Sequence, residues 1–425
     1  MRYETAFSLD TSSIKFGPGV TREVGYEMRR LGATRVMVVT DPGMADSEAV
    51  GTASKAIADE GIDAVLFDRV SVEPTDVSFK QAAAFAAAGG FDSYVAIGGG
   101  SSIDTAKAAN LYATYPADFL AYVNAPIGRG QPVPGPLKPL VAIPTTTGTG
   151  SETTGVAIFD LIEMKAKTGI SHRALRPVIG LVDPDNTKTL PRMVTASSGL
   201  DVLCHGLESY TAIPFSRREA PDGPEQRPGY QGSNPISDVW STQAITMVSK
   251  NIVRAVNDPD DQEARSEMLL AATMAGVGFG NAGVHLPHGM SYPVSGMVRD
   301  YQPAGYPEGH PIVPHGMSVA LNAPAVFRFT GPASPERHLR VAALMGADVS
   351  GAGPEDAGEV LADAIIGLMK QIGVPDGLSA VGYGPDDVGA LVEGTLPQHR
   401  VTRLAPRAAD RSDLRRMFLE SMKLW

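Results

Sequence analysis

Asp201 and His205 stand four residues apart in Gly199-Leu200-Asp201-Val202-Leu203-Cys204-His205-Gly206-Leu207-Glu208, a segment of helical character. In a helix that spacing sets both side chains on one face, where they either share a cation or simply bond each other. Downstream, His285, His288, His310 and His315, four of the eight histidines, lie close together in the chain. One carboxylate with three imidazoles is a nitrogen and oxygen ligand set for a first-row divalent metal, with room left for a substrate oxygen. Spacing alone leaves open which three histidines bind. Cys204 is offset around the helix from Asp201 and His205, and reads as a small buried residue.

A second chemistry-bearing stretch is Gly98-Gly99-Gly100-Ser101-Ser102, which follows an apolar run ending at Ile97 and opens the segment Ile103-Asp104-Thr105-Ala106-Lys107. Glycines at a strand-to-helix turn let the backbone approach a pyrophosphate, whose charge the helix N-terminus favours. The pattern is not G-x-G-x-x-G, and the acidic candidate precedes it. Asp41 closes an early strand, where a carboxylate either bonds a ribose 2'-hydroxyl, favouring NAD over NADP, or only starts the Asp41-Pro42-Gly43 turn. A hydroxyl-rich loop, Pro144 to Glu152, follows the apolar run Leu140–Ile143 and suits phosphate and nicotinamide contacts.

The elements that position these residues fall into two kinds. Short apolar runs at Arg35–Thr40, Ala64–Phe67 and Tyr94–Ile97 alternate with Ala-rich segments, the rhythm of a parallel α/β sheet. From about Pro191 the periodicity turns helical. Ile245, Val248, Ile252 and Val256 recur at helical spacing, as do Met268, Ala271, Ala272 and Ala275. Another such segment runs from Val360 to Ile372 and stops at Gly373, with Pro375 beyond. The expected architecture is therefore an α/β dinucleotide-binding domain over 1–190 and an all-α metal-binding and substrate domain over 191–425. The Pro/Gly-rich piece from Pro214 to Pro235 reads as a surface excursion within the second.

Composition limits the function. The chain has 425 residues, 36 Lys and Arg against 47 Asp and Glu, and a net charge of -11, which repels nucleic acid and anionic membranes. The single cysteine forms no internal disulfide, and the N-terminal residues lack the basic flank and apolar run of a secretory signal. A cytoplasmic protein is expected, with no membrane span.

Phe16-Gly17-Pro18-Gly19, the stretch 98–104, the stretch 144–152, Gly199-Leu200-Asp201 leading to His205, Pro287-His288-Gly289-Met290 and Pro314-His315-Gly316 together resemble the iron-containing alcohol dehydrogenases over nearly the whole chain. The resemblance implies a dehydroquinate synthase-like fold, a homo-oligomer of two or more copies, NAD, and a divalent metal, with iron expected and zinc the alternative. It puts the metal ligands on Asp201, His205, His288 and His315, leaving His285 and His310 as neighbours. It puts the cofactor contacts on Asp41, Gly98, Gly99, Gly100, Ser101, Ser102, Asp104, Thr145, Thr146, Thr149 and Lys167.

Many members carry a second histidine four residues after the ligand matching His288, and here that place is Tyr292. His285 or Tyr292 is then the expected proton carrier. The segments Val284–Pro293 and Tyr230–Asp238 resemble the hydroxyacid-oxoacid transhydrogenases. Their reaction oxidises 4-hydroxybutyrate to succinic semialdehyde and reduces 2-oxoglutarate to 2-hydroxyglutarate on cofactor that stays bound. That implies small hydroxy- and oxo-acid substrates, whose carboxylate Arg227 or Arg299 is expected to hold in an arginine fork. The rival expectations are a simple NAD-dependent dehydrogenase or reductase that releases NADH, a lyase of the dehydroquinate-synthase kind, and a non-catalytic NAD-sensing or filament-forming protein.

Overall fold

The computed structural model describes residues 2–164, 166–306 and 311–425, so His310 lies outside the described residues. The chain forms two compact units, one of Asp10–Thr189 and one of Met1–Leu9 with Leu190–Trp425.

Among the described residues the first unit is built on eight strands: β1 (Ser13–Phe16), β2 (Arg35–Val39), β3 (Asp63–Phe67), β4 (Ser93–Gly98), β5 (Leu140–Pro144), β6 (Val156–Leu161), β7 (Ala166–Ser171) and β8 (Ile179–Val182). Six of them make a parallel sheet in the order β1-β8-β5-β4-β2-β3, and β6 pairs antiparallel with β7. Successive side chains of a strand point to opposite faces. Val36 and Val38 of β2 accordingly enter a core with Val95, Ile97, Val141 and Ile143, while Met37 and Val39 enter another with Tyr94, Ala96 and Ala142. Helix Glu48–Asp59 supplies Ala53 and Ile57 to the first core, and helix Gly100–Thr114 supplies Ile103 and Ala106 to the second. Cover on both faces explains the near-continuous apolar runs. The chain steps from β2 outward to β3 and then back across to β4, so the sheet's switch point lies between β2 and β4. Ligands of open α/β sheets bind beyond the carboxyl ends of the strands at such a point.

The second unit is helical. Helix Arg192–Thr211 is its pillar, packed by Pro235–Asn257 and Gln262–Ala282 through Leu200, Leu203, Leu207, Ile245, Val248, Ile252 and Met268. After Ala282 the chain turns by 106° into helix Leu286–Gly296, with Gly283 at φ +95° in the turn. Among the described residues no single helix is long and apolar enough to cross a membrane. The last periodic helix, Ala357–Ile372, ends at Gly373 in the left-handed region, which caps it as the sequence indicates.

Residues 2–9, expected with the sheet domain, group instead with the helices. Arg2 O accepts from Ala220 N, Ser8 N donates to Gln231 Oε1, Phe7 packs on Phe215 at 4.9 Å, and Glu4 pairs with Arg227. This N-terminal arm clasps the 214–235 excursion. Tyr230, Gln231, Ser233 and Asn234 in that excursion are buried, so it is only partly a surface loop.

Helix His315–Ala320 crosses the pillar where Gly316 has no side chain. A Cβ there would lie 2.1 Å from Ser197 O and 2.7 Å from Asp201 Cβ. Gly316→Ala is expected to destabilise the protein by about 2 kcal/mol through overpacking. Gly51→Ala, on an exposed helical position with nothing within 4 Å, is expected to stabilise it by about 0.5 kcal/mol. Chemical denaturation midpoints of the two variants check both signs.

Candidate metal centre and dinucleotide loop

On the pillar helix Asp201, His205 and Glu208 share one face, and all three are buried. His288 comes from the first turn of helix Leu286–Gly296 and His315 from the start of helix His315–Ala320. Three imidazole nitrogens converge on a single oxygen: Asp201 Oδ1 lies 3.5 Å from His288 Nε2, 3.7 Å from His205 Nε2 and 3.9 Å from His315 Nε2. Asp201, His288 and His315 each offer a ligand atom within 4.8 Å of the others. These separations are too long for good hydrogen bonds. They are close to the roughly 3.4 Å edge of a tetrahedron of ligands around an ion about 2.1 Å from each.

The orphaned atoms agree. Asp201 Oδ1 and His288 Nε2 are buried with no hydrogen-bond partner among the described residues. Burial alone would raise the Asp201 pKa, but the imidazoles of His205, His315 and His288 hold it well below the usual carboxylate range. Burial pulls His205 down to about 3, so it is neutral near pH 7. Against the effect of burial, Glu208 and Asp201 raise the His288 pKa to about 10, so a divalent cation would take its Nε2 by displacing a proton, and the site supplies the charged oxygen and imidazole nitrogens that such an ion needs.

Glu208, which the spacing argument passed over, fixes the geometry. His288 Nδ1 meets Glu208 Oε1 at 2.6 Å, and Glu208 Oε2 accepts from the backbone N–H groups of His285 and His288. A proton held on Nδ1 leaves the Nε2 lone pair for a ligand. Its signal was present, since Glu208 follows His205 by three residues on the same face.

His285 stands elsewhere. The Thr211 hydroxyl donates to Leu207 O and so accepts from His285 Nε2, while the ring meets Phe327 edge-on. Burial lowers the His285 pKa to about 4. Tyr292, also buried, lies beside His315 with ring centroids 6.4 Å apart. Cys204 is buried, and burial pushes its thiol up.

Both arginines expected to hold the substrate are engaged with protein carboxylates. Arg227 forks onto both oxygens of Glu4, and Arg299 onto both oxygens of Asp387. A guanidinium so engaged has its two parallel donors already filled.

In the first unit, β2 and β4 deliver Asp41 and the glycine run to the switch point. Gly98 adopts φ +147°, and a Cβ there would strike Ser102 Oγ at 2.4 Å. Gly99 caps helix Gly100–Thr114 without a side chain, and Gly100 lies against Thr149 of the second loop, as Gly99 does against Thr146. Thr145 N donates to Gly98 O and ties the two loops together. A bare helix N-terminus flanked by hydroxyls suits a pyrophosphate. Asp41 Oδ1 accepts from Gly43 N, as a turn former does, while Oδ2 lies on the Gly98 side. Burial raises the Asp41 pKa, so donors such as ribose hydroxyls would stabilise its charge.

Asp104 and Lys167 are engaged with protein. Asp104 Oδ1 accepts from Ser151 Oγ and from the fully buried Lys107, and Oδ2 accepts from Ile158 N. Lys167 is held between Glu73 Oε2 at 2.7 Å and Asp160 Oδ1 at 3.1 Å, and Glu73 N donates to Ser101 Oγ in the glycine run.

Profiles of the iron-containing alcohol dehydrogenases match residues 11–184, and of the C-terminal domain of that family residues 230–422. The chain belongs to the iron-containing alcohol dehydrogenase family. As a member of that family it is an oxidoreductase. It is 56% identical to the mouse protein named hydroxyacid-oxoacid transhydrogenase, mitochondrial, over 99% of this chain and 91% of that one. The human protein of the same name is 54% identical over 99% and 90%. The probable transhydrogenase of Dictyostelium discoideum is 53% identical over 99% and 80%. Among solved structures, a 1,3-propanediol oxidoreductase superposes with a TM-score of 0.85 at 27% identity, covering 98% of this chain and all of that one. The sulfoacetaldehyde reductase of Bifidobacterium kashiwanohense, solved with NAD+, gives 0.79 at 25%, covering 99% of each.

The cytoplasmic expectation is corrected here, because these curated relatives are named mitochondrial. A single cysteine speaks only for a reducing environment, and the missing secretory features bear only on secretion.

Asp104→Ala would leave the Lys107 ammonium buried without its carboxylate. It is expected to destabilise the cofactor-free protein by about 3 kcal/mol in chemical denaturation. Unchanged stability with weaker NAD binding would make Asp104 a cofactor contact instead.

Proposed function

We propose that this chain transfers hydride between a short hydroxy acid, 4-hydroxybutyrate, and a 2-oxo acid, 2-oxoglutarate, through NAD that stays bound. Asp201, His205, His288 and His315 hold the divalent ion, for which iron is the first assignment and zinc the second. The convergence of three imidazole nitrogens on Asp201 Oδ1 supports the metal half of this reading. The printed name of relatives matched over 99% of the chain supports the substrate half.

When bound, the metal polarises the alcohol or carbonyl oxygen and NAD takes and returns the hydride. Asp201 contributes the negative charge of the site, and Glu208 keeps His288 Nε2 turned toward it. The amides of Gly98 to Ser102 receive the pyrophosphate, Asp41 the adenosine ribose, and Thr145, Thr146 and Thr149 supply hydroxyl donors. Asp104 and Lys107 brace that loop from behind. Lys167, kept charged by Asp160 and Glu73 against the effect of burial, belongs to the same cofactor surface through Glu73 and Ser101. Tyr292 would exchange the substrate's hydroxyl proton. Its Oη accepts from Arg400 Nη2, which leaves its own O–H to donate. His285, bonded to Thr211, supports the Glu208 end.

The test is anaerobic incubation of metal-loaded enzyme, with no added NAD, on 4-hydroxybutyrate with and without 2-oxoglutarate. Many turnovers of 2-hydroxyglutarate are expected when both acids are present, and at most one equivalent of reduced cofactor with the hydroxy acid alone. With NAD then added, steady NADH release from the hydroxy acid alone would select the simple dehydrogenase.

A further inference from the structure

Several guanidinium groups of the helical unit face a carboxylate: Arg227 with Glu4, Arg299 with Asp387, Arg328 with Glu359 and Arg337 with Asp238. Arg400 differs. Its Nη2 donates to Tyr292 Oη at 3.1 Å, and its guanidinium lies over the Tyr230 ring at 4.9 Å. Although the residue as a whole is half-buried, Nη1 is shut off from solvent and has no hydrogen-bond partner among the described residues. No carboxylate of the described residues forms an ion pair with it. A cation withdrawn from water without a counter-charge is unfavourable, and an arriving carboxylate would complete it with the planar fork that arginine keeps charged at every working pH.

Its position points to what arrives. Arg400 sits in the short helix His399–Thr402, which lies directly against Gly289, the residue after His288; a Cβ at Gly289 would come within 2.6 Å of Thr402 Cγ2. Both aromatic partners of Arg400 lead back to the Asp201 cluster. Tyr292 lies beside His315, with the rings inclined by 24°. Tyr230 meets Phe279 at 6.5 Å, and Phe279 stacks on His205 at 3.8 Å. The guanidinium is thus held by two tyrosines, one beside His315 and the other reaching His205 through Phe279.

We infer that Arg400 anchors the substrate carboxylate, fixing the acid end of the molecule while the oxygen to be oxidised or reduced meets the Asp201 centre. This rests on the hydroxy-acid reading above and names the residue that selects the substrate. It also accounts for a requirement of the exchange. In 4-hydroxybutyrate the carbinol carbon is separated from the carboxyl carbon by three carbon–carbon bonds. The ketone carbon of 2-oxoglutarate is separated from its distal carboxyl carbon by the same three. One anchor at one distance therefore brings both the donor and the acceptor carbon to the same point of the Asp201 centre.

The experiment compares kcat/KM for 4-hydroxybutyrate with that for its uncharged amide, 4-hydroxybutyramide, in the wild type, Arg400→Met and Arg400→Lys. The acid-to-amide ratio within each protein cancels any loss of folded or metal-loaded enzyme. Removing the charged fork is expected to lower that ratio by about 30-fold in Arg400→Met. Arg400→Lys, which keeps a cation and should fold whatever becomes of the methionine variant, is expected to lower it by about tenfold, since a single ammonium does not reproduce the fork. KM for 2-oxoglutarate should rise in parallel. If the wild type prefers the acid and both variants keep that preference, Arg400 is not the anchor and the substrate reading stands. A wild type indifferent to the charge would overturn the substrate reading itself, and this assignment with it.

Discussion

Three imidazoles are crowded around one buried carboxylate oxygen, and the architecture of the helical unit follows from keeping them there. Without a cation, Asp201 and His288 carry buried polar atoms with no hydrogen-bond partner, a situation that folded proteins retain chiefly where a ligand or function requires it. The pillar helix brings Asp201, His205 and Glu208 to one face. The 106° turn after Ala282 aims His288 at them, and Gly316, without a side chain, lets the His315 helix touch the pillar backbone. Glu208 binds the ring and two backbone amides of the incoming segment, so that His288 arrives with a defined nitrogen forward. Their common outcome is that Asp201, His205, His288 and His315 are already gathered, an arrangement that would spare a metal site most of the cost of ordering its ligands.

The sheet unit meets the opposite electrostatic demand. Its glycine and hydroxyl loops carry backbone N–H groups and hydroxyls where two strands part at the switch point, chemistry that suits an anion. The Lys107 ammonium behind that loop is fully buried and burial lowers its pKa, but Asp104, Ser151 and the carbonyl of Val156 surround it. The result is a fully hydrogen-bonded base beneath the loop.

Sequence spacing made much of this legible. The Asp201 and His205 pair, the alternating strands on either side of Asp41 and the glycine run, and the helix stop at Gly373 all depend on contacts within a few residues, where periodicity is informative. What could not be read depends on contacts between distant segments. Arg227 and Arg299 looked available because nothing local marks Glu4, 223 residues away, or Asp387, 88 residues away, as their partners. The N-terminal arm joins the helical unit for the same reason. Arg400 meets Tyr292 across 108 residues, and only the packing at Gly289 explains why. Glu208 is an intermediate case: its place on the ligand face was readable, but its grip on His288 was not. The family resemblance rested on motifs spread along nearly the whole chain, which is why it reached residues that spacing left undecided.

The most direct test of the account is the metal content of anaerobically iron-loaded, desalted wild type against Asp201→Asn. This substitution keeps the shape of the side chain and removes the charge on which the three nitrogens converge. About one ion per chain is expected in the wild type and a loss of most of it in the variant, with NAD binding by the sheet unit retained. A variant that holds its ion as the wild type does would contradict the placement of the metal at Asp201.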